Sequence, residues 1–124
     1  MGPYFDILAV ASDQIYERRG RVQRIVGIRS EWFHHPDALR IPESVFNRFS
    51  EAFSSTHAKF NYYGPTEYSG EQIIQLCKEL RTQVLAERAQ GQPAEQETSA
   101  AIREVLVVAE RALTEGQSLL VLGI

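Results

Sequence analysis

The residues best suited to chemistry lie in one run, Trp32-Phe33-His34-His35-Pro36-Asp37, where two imidazoles and a carboxylate are donor types that bind zinc and other divalent metals. A small metal-dependent enzyme would draw on His34, His35 and Asp37. The spacing opposes it, because neighbours along an extended chain point to opposite sides, whereas histidines four residues apart on a helix share an ion easily. His57 is the third imidazole, and only the fold decides whether it joins them. Cys77, the single cysteine, recurs with Ile73, Leu80 and Val84 at helical spacing, which makes it a small hydrophobe rather than a nucleophile. No G-x-S-x-G, P-loop, dinucleotide fingerprint or C-x-x-C occurs. The expectation is a chain with no catalytic residues, no metal and no cofactor.

A second segment, Gly64-Pro65-Thr66-Glu67-Tyr68-Ser69-Gly70, carries two glycines just before a helix start, a place where anions bind. It has no lysine or arginine, and Glu67 would repel a phosphate, so it reads as a turn and a cap. As a contact surface it has more to offer. Tyr62, Tyr63, Tyr68, Trp32 and Phe33 concentrate aromatic area in or beside two irregular segments, and Tyr, Trp and Arg dominate interface hot spots. The candidate partner-binding residues are Trp32, Tyr63 and Tyr68 as anchors, with Glu67 and Glu71 steering a basic partner. Tyr62 and Tyr63 alternate along a strand, so at least one of them belongs to the core.

The elements that must position these residues follow from periodicity. Residues 4 to 11 read as a largely buried strand that continues, after Ser12-Asp13, through residues 14 to 17. Arg18-Arg19-Gly20 closes a hairpin and residues 22 to 29 return. Residues 30 to 41 read as a loop. Pro42 opens a helix of about three turns, with Val45, Phe46, Phe49 and Phe53 on one face. Residues 59 to 63 read as a third strand, ended by Gly64-Pro65. Ser69-Gly70-Glu71-Gln72 is a capping box that starts a second helix, and Gly91-Gln92-Pro93 ends it. A third helix carries Ile102, Val105, Leu106, Ala109, Ala112 and Leu113 to a stop at Gly116, packed antiparallel to the second. Residues 118 to 124 are apolar and too few for a helix, so they read as a closing strand. The expectation is one α+β domain over residues 1–124, with a sheet of three or four strands and three helices.

Charge narrows the partners. Thirteen basic and sixteen acidic side chains leave a net charge of -3, the wrong sign for a phosphate backbone, so no nucleic-acid partner is expected. Residues 1 to 66 hold eight basic and seven acidic residues, whereas residues 67 to 124 hold five and nine. A single cysteine forms no internal disulfide, no run approaches the roughly 18 apolar residues of a membrane span, and no secretory leader is legible, so a cytoplasmic protein without a membrane partner is expected.

The hairpin, the segment from Tyr63 to Gly70, two long helices and the ending Leu119-Leu120-Val121-Leu122-Gly123-Ile124 together resemble the small immunity proteins of bacterial polymorphic toxin and contact-dependent inhibition systems. The resemblance covers the C-terminal half and transfers no functional residue. It implies a cytosolic, non-enzymatic protein that neutralises a cognate toxin domain by binding it. The alternative reading is an adaptor or a self-assembling structural subunit.

Overall fold

The computed structural model describes residues 4–10, 16–19, 22–25, 38–63, 65–90 and 96–123. Four antiparallel strands make the main sheet: β1 (Tyr4–Val10), β4 (Leu39–Pro42), β5 (Pro65–Tyr68) and β6 (Ser118–Leu122), in the order β4-β1-β6-β5. The apolar closing strand expected from the sequence is β6, and it runs between β1 and β5, with Leu8 opposite Leu120 and Glu67 opposite Leu120 on its other side. The expected hairpin forms as β2 (Tyr16–Arg19) and β3 (Val22–Ile25), but as a two-stranded sheet of its own. Its place in the main sheet is taken by β4, in a stretch expected to be loop up to residue 41.

The expected strand over residues 59 to 63 is corrected by the structure: those residues form a turn, and the strand begins at Pro65. Side chains there satisfy nearby backbone groups in place of a ladder, with Asn61 Oδ1 accepting from the Tyr63 N–H (3.0 Å) and His57 Nδ1 from the Lys59 N–H (3.1 Å). Pro65, read from the sequence as a terminator, is tolerated because it is the first residue of an edge strand, where its missing N–H removes no ladder bond.

Alternation across the sheet separates two apolar clusters. Phe5, Ile7, Leu119, Val121 and Tyr68 face the helices and join Phe46, Phe53, Ile73, Leu80, Ile102 and Val105 in the main core. Leu8, Val10, Leu120 and Leu122 face the other way and form a smaller buried group with Ala38 against it. Aromatic rings fill the main core: Phe5 stacks on Phe46 at 3.9 Å, and Phe46 meets Phe53 at 4.9 Å.

The single helix expected from Pro42 onward is two, α1 (Glu43–Phe46) and α2 (Ser50–Thr56). A tight turn separates them, in which the Arg48 and Phe49 amides donate to Val45 and Phe46 three residues back. Val45, Phe46, Phe49 and Phe53 are all buried despite the break, so their spacing reported burial correctly and continuity wrongly. The two long helices are α3 (Gly70–Gln90) and α4 (Gln96–Thr114). Half of the expected capping box is present: the Ser69 N–H donates to Gln72 Oε1 (3.0 Å), and the Ser69 hydroxyl donates to the same oxygen (3.1 Å). Gly116 ends α4 at φ 65°, with its amide donating to Leu113 and that of Gln117 to Ala112. These are the paired bonds of a Schellman stop, which needs a residue able to take a positive φ.

Candidate partner-binding surface

The turn that precedes β5 is pinned through the backbone amides of residues 59, 60, 61 and 63. The Phe60 amide donates to the His57 carbonyl (3.1 Å) and the Asn61 amide to Thr66 Oγ1 (3.0 Å), in addition to the two bonds that hold Lys59 and Tyr63. Tyr62 lies inward, edge-on to Phe5 at 5.0 Å, and its hydroxyl donates between Asn47 Oδ1 (2.8 Å) and Glu43 Oε1 (3.0 Å). Partial burial and then the Glu43 carboxylate raise the Tyr62 phenol above its usual range. Tyr63 lies outward, 76 % exposed, edge-on to Tyr62 at 5.1 Å. The adjacent pair thus divides, although no strand forms there: one ring packs against the core and the other is displayed beside it.

Of the five candidate residues, Tyr68 is corrected. Its side chain is 0 % exposed, edge-on to Phe53 at 5.8 Å, and its hydroxyl donates to the Phe53 carbonyl at 2.7 Å. Burial pushes its phenol far above the ordinary value. A ring without accessible surface cannot anchor a partner, so Tyr68 is core. Glu71 is exposed in the first turn of α3 and Glu67 is partly buried on β5. Trp32 lies outside the described residues, as do His34, His35 and Asp37. Tyr63 and Glu67 stand four residues apart on the turn and the strand it leads into.

His57, the third imidazole, has both ring nitrogens engaged. Nε2 lies 2.9 Å from the Glu67 carbonyl, to which it donates, while Nδ1 accepts from the Lys59 N–H at 3.1 Å. It joins the end of α2 to the free edge of β5 and stacks edge-on against Tyr68 at 5.0 Å. An exposed strand edge invites pairing with another chain, and here a side chain occupies one of its carbonyls. Among the described residues, no three His, Cys, Asp or Glu side chains stand where one ion would reach them all.

A cleft of about 570 Å³ opens between α2 and α3. Glu51, Ser55, Thr56, Gln75, Glu79 and Gln83 contribute to its walls, which carry carboxylates and neutral polar groups and no cation. Sequence reasoning missed it, since Glu51 and the Gln75/Glu79 pair belong to separate helices. The pairing of i and i+4 acidic and amide residues on the outer face of α3 was the only signal available. Ile74 and Leu85, eleven residues apart and so on one line of α3, are exposed at 50 % and 65 %. Cys77 is buried in the main core, and burial raises its thiol above the ordinary range, with Arg81 opposing. No described helix is long and apolar enough to cross a membrane. Compared with protein-family models, curated proteins and solved structures, the chain matches none of them.

Proposed function

We propose that this chain is a non-catalytic, cytoplasmic protein-binding protein, an immunity protein that neutralises a cognate bacterial toxin domain by occluding it. The observation that carries the reading is Tyr63: a large amphipathic ring, exposed on a turn whose backbone is already bonded into one conformation. A preordered aromatic pays little entropy on binding and supplies the kind of anchor on which interfaces depend. The acidic residues Glu67 and Glu71 and the acid-walled cleft favour a partner whose contacting surface is basic, which would speed encounter. Trp32 belongs to the same proposal from its residue type.

The test is co-expression with a candidate toxin domain taken from a neighbouring gene. Growth should be restored and the two proteins should elute together as a complex. Tyr63→Ala should leave the fold intact and weaken the complex by about 2 kcal/mol, roughly thirtyfold, mainly through faster dissociation. If the unaltered chain neither binds nor protects, the reading fails; if Tyr63→Ala binds as tightly, the surface lies elsewhere.

A further inference from the structure

Glu97, Ala100, Ala101 and Glu104 recur along α4 at steps of three and four residues, so they share one stripe of the helix. The two alanines bring little side chain to the place where that stripe passes β4 and α1. An open pocket of about 230 Å³ lies there, with Ile41, Pro42 and Val45 on one side and the alanines on the other. Ile41 and Val45 are core residues, 2 % and 4 % exposed, and Ala101 packs against the same core. The pocket is therefore a dent in the surface whose floor is the main core.

Its rim is unevenly charged. Glu97 and Glu104 stand at the two ends of the alanine pair, about 10 Å apart along the helix. Arg40 is the one cation among the described residues that line the pocket, and its guanidinium lies over the Tyr4 ring (4.4 Å) and 4.0 Å from Asp6. Glu97 stands 3.8 Å from Arg48. Glu104 is thus the charge that the rim presents to an incoming group. We infer that this pocket receives one aliphatic side chain of the partner, with a basic residue beside it directed at Glu104. An apolar floor gains from an apolar occupant, because both surfaces leave water together, and the carboxylate above it selects the sign of the neighbour. Apolar pockets with polar rims are where the energy of an interface concentrates. That the occupant belongs to a protein rests on the protein-binding reading above; the class of group that enters rests on the pocket.

Two measurements separate these claims. In the first, the free chain labelled with ¹³C in its Ala, Ile and Val methyl groups is titrated with isoamylammonium and, separately, with isovalerate, which share a branched chain and differ in the sign of their charge. The methyl resonances of Ile41, Val45 and Ala101 should move saturably with the ammonium at about tens of millimolar, and severalfold less with the carboxylate. Ala101→Leu fills the pocket from the α4 side, so it should abolish the response and keep or raise the melting temperature. Should that variant fail to fold, Ala100→Leu, at the exposed neighbour, takes its place. No movement, equal movement with both probes, or a response that survives the filled pocket overturns the site. Glu104→Gln should bring the two probes close to equal, and a preserved preference for the ammonium overturns the role of Glu104. In the second, the filled-pocket variant should weaken the complex with the toxin domain at least about tenfold while its circular dichroism stays unchanged. An unchanged affinity overturns the partner's use of the pocket even where the small probe binds, and a chain that takes up the probe but binds no toxin removes the protein-binding reading alone.

Discussion

Replacing Tyr68 with phenylalanine removes one oxygen from the middle of the core and leaves every ring contact in place. Its hydroxyl is the short partner of the Phe53 carbonyl, at 2.7 Å; the other donor recorded there, Thr56 Oγ1, stands at 3.4 Å. The variant thus loses a buried hydrogen bond and leaves an acceptor poorly served, which costs about 1–2 kcal/mol. In a chain of this length that lowers the melting temperature by roughly 4–8 °C. Tyr68→Ala adds the loss of the ring against Phe53 and His57, at about 3–5 kcal/mol, a large share of the roughly 5–15 kcal/mol that holds such a domain together. Loss of binding in that variant would report unfolding rather than a missing contact. Alkaline titration sharpens the test. Burial raises the folded-state pKa of Tyr68, whereas the unfolded phenol ionises near about 10. The group's contribution is therefore whole below about pH 10 and is lost as pH rises further, because only the unfolded chain can release the proton. Phenylalanine carries no such proton, so the stability gap between the natural chain and Tyr68→Phe should narrow above about pH 10. Urea denaturation followed by circular dichroism, with slopes checked for equality, measures it. A Tyr68→Phe protein as stable as the original at neutral pH, or a gap that stays constant above pH 10, refutes the reasoning.

Removing residues 119 to 124 should abolish cooperative folding: Leu119, Leu120, Val121 and Leu122 are buried at the centre of the sheet, each worth about 1.5–3 kcal/mol, and a retained thermal transition would contradict that placement. Cys77 should react with an aromatic disulfide reagent only as fast as the protein opens, because burial keeps its thiol protonated and out of reach; rapid modification of the native protein would show the face of α3 to be wrongly assigned.

The long helices were legible because their ends are written in residues with one good use each. Ser69 with Gln72 marks a start, and Gly116 marks a stop that other residues resist. The run Leu119 to Leu122 was legible as a strand because nothing but burial accommodates it. The turn before β5 was not, since Phe60, Asn61, Tyr62 and Tyr63 have the composition of a strand, and what prevents one is bonding by Asn61, Thr66 and His57 that appears only when the chain bends. Tyr63 and Tyr68 are equivalent as residue types; the alternation of Pro65, Thr66, Glu67 and Tyr68 held the distinction, once the strand was placed at residues 65 to 68 rather than 59 to 63. The pocket at Ala100 and Ala101 left no trace in the sequence, because it is defined by what β4 and α1, far earlier in the chain, put beside them.

The order β4-β1-β6-β5 also sets a timetable. During vectorial synthesis β1 is made before the other described strands, yet one of its two partners, β6, is the last of them in chain order. At about 5–20 residues per second, Leu8 and Val10 wait roughly 5–20 s for Leu120 and Ser118 to be translated. Until then β5 has no neighbour, and the sheet exists only as the β1–β4 pair. The main sheet must remain unassembled until β6 has been made. Lesions in β6 will therefore register first as poor yield and dependence on chaperones, in cells where the few molecules that do finish folding still perform normally.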